Sequence, residues 1–134
     1  MQFDNIKPGL GAEKTVTVDE KNTAESWGSG GLPVFATPSM IALMEFTALS
    51  AVEPFLPEGC STVGTELNVR HLAASPLGMK ITCRAELVEV DRRRLVFRIE
   101  TFDEAEKTGE GTHGRFIIEN ERFMKKIQEK AQKH

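Results

Sequence analysis

The pattern of apolar and polar positions along the chain predicts one long buried helix. Between residues 39 and 53, apolar side chains fall on nearly every face of a helix, which is typical of a helix enclosed by the rest of the protein. Thr37 and Pro38 predict its start, because a hydroxyl is a common N-cap and proline favours the first helical position. Pro54 and the segment 57–59 predict its end.

The other segments alternate between apolar and polar residues with a period of two, which predicts strands. One strand is predicted over 12–19, before the helix, and four follow it, over 61–73, 79–90, 95–102 and 109–119, with turns at 75–78, 91–93 and 104–108. In the strand 61–73 the alternation predicts one apolar face formed by Val63, Thr65, Leu67, Val69, His71 and Ala73. The segment 21–31 predicts a mobile glycine-rich loop that carries Trp27, and 121–133 predicts a short charged helix or a frayed tail.

This order of elements predicts an α+β protein in which an antiparallel sheet covers one long helix. A helix that is apolar on all sides leaves its far side exposed when a single sheet covers it. A sheet that curls around the helix, together with a second protomer that extends the sheet, would remove this exposure. We therefore expect a homodimer.

Length and charge narrow the possible functions. A chain of 134 residues and 14.9 kDa corresponds to one domain, residues 1–134. Its net charge of −3 disfavours nucleic acid as a partner. The start has no basic and apolar leader, and the nearly uncharged stretch 27–44 is interrupted by glycines and prolines, so we expect neither secretion nor a membrane anchor. Two cysteines 23 residues apart predict no zinc site, and we expect a cytoplasmic protein.

Two ionisable residues lie where apolar residues are expected. Glu45 is the one charged residue within the helical segment 39–52, and burial would raise the pKa of its carboxyl group toward the range of a general base. His71 lies on the apolar face of its strand, which would meet the helix. A histidine held by a carboxylate is a known general-base arrangement, whereas a structural ion pair and a hydrogen-bonded core histidine are the alternatives.

Thr37 could be the helix N-cap, a nucleophile, or a group that positions a water molecule, beside helix amides that would stabilise an oxyanion. Eight residues separate Thr37 from Glu45, about 12 Å along a helix. They can share a site if Thr37 precedes the helix and folds back, or if the site combines two subunits. On the last strand, Arg115 could bind a phosphate or carboxylate or pair with a glutamate, and we favour a structural role for His113.

Several ordered motifs together resemble the hotdog-fold acyl-CoA thioesterases, and within them the fluoroacetyl-CoA thioesterase-like family. The resemblance runs from about residue 33 to residue 123. It rests on the segments VFATP (34–38), IALME (41–45), STVGT (61–65), VRHLAASPLG (69–78) and GEGTHGR (109–115).

The resemblance implies a hotdog fold, dimerisation through the sheet and hydrolysis of acyl-CoA thioesters without metal or cofactor. The family's catalytic threonine, glutamate and histidine correspond to Thr37, Glu45 and His71. Its strand glycine corresponds to Gly64 and its arginine near the end of the sheet to Arg115, and we expect both of these to contact substrate.

The loop before the helix departs from the fluoroacetyl-CoA branch, whose specificity is tied to an aromatic lid. Here Leu32 precedes the proline, and the first phenylalanine is Phe35. We expect both side chains to contact substrate, and we expect a small or medium acyl-CoA, with fluoroacetyl-CoA among the candidates. A hotdog hydratase or dehydratase and a non-catalytic acyl-CoA-binding protein are the alternative functions. Whether Thr37 or water attacks, and whether dimers pair further, stays open.

Overall fold

The computed structural model describes residues 3–134. Its elements, in chain order, are β1 (Gly11–Thr17), α1 (Ala24–Trp27), α2 (Thr37–Val52), a 3-10 turn (Glu53–Phe55), β2 (Cys60–His71), β3 (Lys80–Asp91), β4 (Arg94–Phe102), β5 (Lys107–Glu119) and α3 (Asn120–Gln132). The predicted α+β arrangement, with one long helix against an antiparallel sheet, is confirmed.

The five strands form one sheet in the order β1-β3-β4-β5-β2, and every neighbouring pair is antiparallel. Strands β3, β4 and β5 form a meander, whereas β2 pairs with β5 and lies at an edge. The segment predicted as a turn at 75–78 therefore does not close a hairpin. It belongs to a connection that carries the chain from one side of the sheet, past β4 and β5, to β3.

A β-bulge in β2 changes which side chains face the helix. The register with β5 shifts between Gly64 and Glu66, and an extra residue in one strand reverses the alternation of side chains beyond it. The predicted inward positions of Val63 and Thr65 are wrong for this reason, because Thr62 is the buried residue before the bulge. Residues 64–68 are all exposed along this edge.

Helix α2 packs across β1, β3 and β4 and forms the centre of the core. The residues that it buries are Ser39, Met40, Leu43, Met44, Thr47, Ala48, Ala51 and Val52, and the sheet contributes fully buried side chains such as Ile81, Leu87, Phe97 and Ile99. On the opposite face Ala42 is exposed, and Phe46 keeps 52% of its surface exposed.

The start of α2 differs from the sequence prediction. Thr37 is the first helical residue, Ala36 occupies the N-cap position, and no side chain caps the helix. The N-cap role predicted for Thr37 is therefore wrong. Ala36 has extended backbone dihedrals and is fully buried, so the chain enters the helix one residue earlier than expected and the Thr37 hydroxyl does not bond to the helix amides.

The other two helices lie in the segment predicted as a loop and in the segment predicted as a short helix or a frayed tail. Within the predicted loop 21–31, α1 begins after Thr23, whose hydroxyl accepts a hydrogen bond from the Ser26 amide at 3.2 Å. The Trp27 indole then donates to the Ser39 hydroxyl at 2.7 Å, which joins this loop to α2. The charged C-terminal segment forms the regular helix α3. None of the helices found within residues 3–134 has the length and apolar character that a bilayer crossing requires.

We expect Gly109→Ala to lower stability, because Gly109 lies where α2 meets β5. An added Cβ would lie 2.5 Å from Thr101 Oγ1 and 2.6 Å from Met40 Sδ, and both of these side chains are fully buried. Such overpacking costs about 1–3 kcal/mol. Urea unfolding measures it, with Gly31→Ala as the control because a Cβ there meets nothing within 4 Å. Equal unfolding midpoints for the two variants would contradict this packing.

Candidate active site

A threonine and a histidine meet at the N-terminus of α2. The Thr37 hydroxyl oxygen lies 2.8 Å from His71 Nδ1, where Thr37 opens the helix and His71 ends β2. Thr37 is exposed and His71 is partly buried. Both side chains line a surface cavity of about 320 Å³, together with Val34, Phe35 and the segment 72–74. The arrangement is that of a hydroxyl beside a base, open to a ligand.

Burial controls the protonation of His71. It lowers the pKa of this imidazole, and the nearby Ala73 backbone raises it by a smaller amount. His71 is therefore neutral at pH 7, and its Nδ1 lone pair can accept the proton of the Thr37 hydroxyl. Nε2 is buried and has no hydrogen-bond partner within residues 3–134.

A second polar cluster surrounds the guanidinium of Arg115, which is 6% exposed. Its Nε donates to Thr62 Oγ1 at 2.8 Å and its Nη2 to the Thr62 carbonyl at 2.9 Å. Its Nη1 lies 3.0 Å from His113 Nε2 and 3.6 Å from Glu45 Oε2. Glu45 thus has a cationic neighbour, although 41% of its side chain is exposed.

Gly64 makes the close approach of Glu45 possible. It pairs with Arg115 in the sheet, and a Cβ at this position would lie 2.8 Å from Glu45 Oε2 and 3.3 Å from His113 Cε1. Both distances are shorter than ordinary van der Waals contact. The Glu45 carboxylate therefore occupies the space that the Cβ of any other residue at position 64 would need.

Within one protomer the two clusters are separate. Thr37 and Glu45 lie on one regular helix, about 12 Å apart along its axis. Gly64 and His71 lie seven residues apart on one strand, which corresponds to about 23 Å. The fold thus brings Thr37 to His71, and Glu45 to Gly64 and Arg115, but it does not bring Glu45 to His71.

Phe35 and Leu32, which we expect to contact substrate, lie in different surroundings. Phe35 lines the cavity beside Thr37 and His71, and 3% of its surface is exposed. Leu32 is 66% exposed, and its carbonyl accepts a hydrogen bond from the Glu25 amide at 3.1 Å. Histidine, cysteine, aspartate and glutamate side chains of residues 3–134 form no group of three or more that could hold a metal ion.

Comparison with known proteins identifies the family. The model of the family described as FlK, fluoroacetyl-CoA-specific thioesterase, matches residues 18–121. The chain belongs to this family. A relative from Streptantibioticus cattleyicolor, named fluoroacetyl-CoA thioesterase, is 41% identical over 98 residues, which cover 73% of this chain and 70% of that protein.

Solved structures agree with this membership of the FlK family. The fluoroacetyl-CoA thioesterase FlK matches with a TM-score of 0.86 at 33% identity, over 93% of this chain and 97% of that one. A thioesterase superfamily member from Thermus thermophilus matches with a TM-score of 0.85 at 26% identity, over 96% and 98%. The predictions of a hotdog fold and of a thioester hydrolase are thereby confirmed.

Sequence reasoning did not assign a part in this FlK-family site to His113 or Thr62. Both hold the Arg115 guanidinium. The spacing of His113 and Arg115 is a usable signal, because residues two apart on a strand share a face. The sequence gives no such signal for Thr62. Its inward orientation depends on the bulge after Gly64, which the alternating pattern does not reveal.

We expect the stability of this FlK-family chain to fall as the pH drops below 6.5. Burial lowers the pKa of His71 and of His113, so the unfolded chain binds more protons just below 6.5. The contribution of the two histidines to the free energy of unfolding is complete above pH 6.5. It is lost as the pH falls through their two folded-state pKa values. The carboxyl groups with lowered pKa values, Asp103 and Glu110, act at lower pH.

Urea unfolding between pH 7.5 and pH 5 measures this dependence. His71→Asn removes one of the two groups and should flatten it. An equally steep dependence in this variant would mean that His71 does not carry the effect.

Proposed function

We propose that this acyl-CoA thioesterase uses Thr37 as its nucleophile and His71 as its general base, in a site completed by a second protomer. The observation that carries the proposal is the 2.8 Å contact between Thr37 Oγ1 and His71 Nδ1, in a cavity at the N-terminus of a helix. A hydroxyl becomes nucleophilic when a positioned base accepts its proton, and a neutral imidazole is such a base.

The reaction proceeds through two transfers. Thr37 Oγ1 attacks the thioester carbon while its proton passes to His71 Nδ1, and the tetrahedral intermediate collapses as the C–S bond breaks. His71 returns the proton to the CoA thiolate, which leaves as the thiol. A water molecule then attacks the acyl-threonine ester, gives its proton to His71, and releases the free acid when Thr37 recovers the proton.

The N-terminus of α2 supports the intermediate. Its amides carry a partial positive charge, which favours an oxyanion. Pro38 has no N–H, and the Met40 amide already donates to the Ala36 carbonyl at 2.9 Å. The amides of Thr37 and Ser39 are therefore the donors that this end of the helix offers.

The exposed edge of the sheet supports a homodimer. Strand β2 has β5 on one side, and its residues 64–68 are exposed, so its other side offers backbone groups for pairing. Leu67 and Phe46 are also exposed, at 37% and 52%. Antiparallel pairing of two β2 strands across a two-fold axis would cover this edge and extend the sheet.

This dimer would unite the two clusters. Leu67 lies three residues after Gly64 and four residues before His71 on β2. A two-fold axis near Leu67 therefore brings Gly64 of the partner subunit toward His71. Glu45 of the partner subunit comes with it, and it would orient the water that hydrolyses the acyl-threonine. Arg115 of the partner subunit would bind the carboxylate that forms.

The cavity supports a small or medium acyl group. Its volume of about 320 Å³ is at the low end of ligand sites, and buried Phe35 forms part of its wall. Leu32, on the neighbouring loop, would contact the acyl chain. Fluoroacetyl-CoA is one candidate, because it is the substrate in the names of the relatives. We place this activity in the cytoplasm, where acyl-CoA esters occur.

Substitution of the two residues tests the mechanism. Thr37→Ala and His71→Asn should each lower kcat for thiol release about a hundredfold or more, whereas Thr37→Ser keeps a hydroxyl and should retain more activity. Thiol release is followed over a panel of acetyl-, fluoroacetyl-, longer-chain and aryl-CoA. Thr112→Ala, at an exposed position of β5, is the control.

Mass spectrometry together with thiol release distinguishes attack by Thr37 from attack by water, and a hydrolase from the other two functions. Mass spectrometry of a rapidly quenched reaction should show the acyl group on the wild-type chain and not on Thr37→Ala. Full activity in Thr37→Ala with loss in His71→Asn would show direct attack by water. Absence of thiol release from every substrate would contradict the hydrolase and leave a hydratase or a binding protein.

A further inference from the structure

His113 lies enclosed between the bulge of β2 and the guanidinium of Arg115. It is 1% exposed. Its Nδ1 lies 2.8 Å from the Glu66 carbonyl oxygen, and its Nε2 lies 3.0 Å from Arg115 Nη1. A carbonyl oxygen accepts and a guanidinium donates, so Nδ1 carries the proton and Nε2 is the acceptor. His113 is therefore a neutral imidazole with a defined tautomer.

The charges around His113 agree with this state. Burial lowers its pKa most strongly. The hydrogen bond to the Glu66 backbone opposes this in part, the nearby Arg115 cation lowers the pKa further, and Glu45 raises it by the smallest amount. A protonated Nε2 would place an N–H against a guanidinium that can only donate. The imidazole can hold Arg115 only while it is neutral.

The β-bulge supplies the acceptor that fixes the tautomer. The register shift between Gly64 and Glu66 interrupts the ladder with β5, and Glu66 lies opposite Gly114 rather than in the regular series. The Glu66 carbonyl accepts from His113. The irregularity of β2 therefore determines which nitrogen of His113 faces Arg115.

Arg115 is held on three sides. Two of its bonds go to Thr62 and the third goes to His113 Nε2. The Glu45 carboxylate lies 3.6 Å from Nη1, beyond hydrogen-bond distance. Without the acceptor on His113, Nη1 would lose the one bond that opposes the attraction of this carboxylate, and it would turn toward Glu45 while Nε and Nη2 stay bonded to Thr62.

We propose that His113 is a positioning residue, which uses its unprotonated Nε2 to keep the Arg115 guanidinium apart from Glu45 and available to the substrate. This role rests on the proposed function of Arg115. His113 does not touch the substrate, because both of its nitrogens are bonded within the protein and its side chain is buried. It acts through Arg115 alone.

Two amide variants distinguish the roles of the two nitrogens of His113. In His113→Gln the side-chain oxygen can take the place of Nε2 and accept from Arg115. In His113→Asn the amide nitrogen can take the place of Nδ1 and donate to Glu66, but nothing accepts from Arg115. We expect His113→Asn to lower kcat about tenfold or more, and His113→Gln to retain more activity than His113→Asn.

A double-mutant cycle with Arg115→Met shows whether His113 acts through Arg115. The loss caused by His113→Asn should disappear in the Arg115→Met background, because the group that His113 positions is absent. Urea unfolding of each variant identifies losses that come from unfolding. Thr112→Ser, the exposed neighbour on β5, is the control. An equal loss in both backgrounds, or an equal loss in both amide variants, would overturn the proposal.

A second measurement does not depend on activity. Two-bond ¹H–¹⁵N spectra of the imidazoles should show His113 neutral at pH 7, with its proton on Nδ1. In Arg115→Met the tautomer should persist, because Glu66 fixes it, while the Nε2 resonance shifts. A proton on Nε2, or an imidazolium at pH 7, would overturn the proposal even in an active enzyme. A wild-type chain that shows this tautomer but has no thioesterase activity would instead count against the proposed function.

Discussion

The length of a regular helix is the constraint on which the rest of this structure depends. Helix α2 carries both Thr37 and Glu45, and it is helical at each of the sixteen residues that it spans. Eight residues of helix fix about 12 Å between the two positions, and no side chain bridges that distance. The hydrogen-bond partner of the Thr37 hydroxyl therefore comes from elsewhere, and the fold supplies His71 at the end of β2. The same constraint leaves Glu45 to a separate cluster on the sheet.

Desolvation gives the two clusters their chemistry. Both imidazoles are partly or fully buried, and burial keeps each of them neutral at pH 7. The neutral form lets His71 accept a proton from Thr37 and lets His113 accept a bond from Arg115. The charged groups remain paired, because Arg115 faces Glu45 and donates two hydrogen bonds to Thr62. A buried guanidinium without these partners would cost far more free energy.

The sequence allowed much of the fold to be predicted, and it drew attention to most residues of the two polar clusters. The apolar helix, the alternating strands and the prolines after the helix are local signals, and they correctly predicted the order of the elements. The errors concern features of the structure that local sequence patterns do not determine. Thr37 is not the N-cap, because buried Ala36 already adopts the extended backbone that a cap requires. The pairing of β2 with β5 and the bulge at Gly64 depend on contacts distant in the sequence, so they hid Thr62 and the role of His113.

The central claim is that each active site combines Thr37 and His71 of one protomer with Glu45 of the other. Mixing of two inactive variants, Thr37→Ala and Glu45→Ala, after joint unfolding and refolding tests it most directly. Random pairing makes half of the dimers heterodimers, and each of these has one complete site, so about a quarter of the wild-type activity should return. A mixture that stays as inactive as its two components would contradict the shared site.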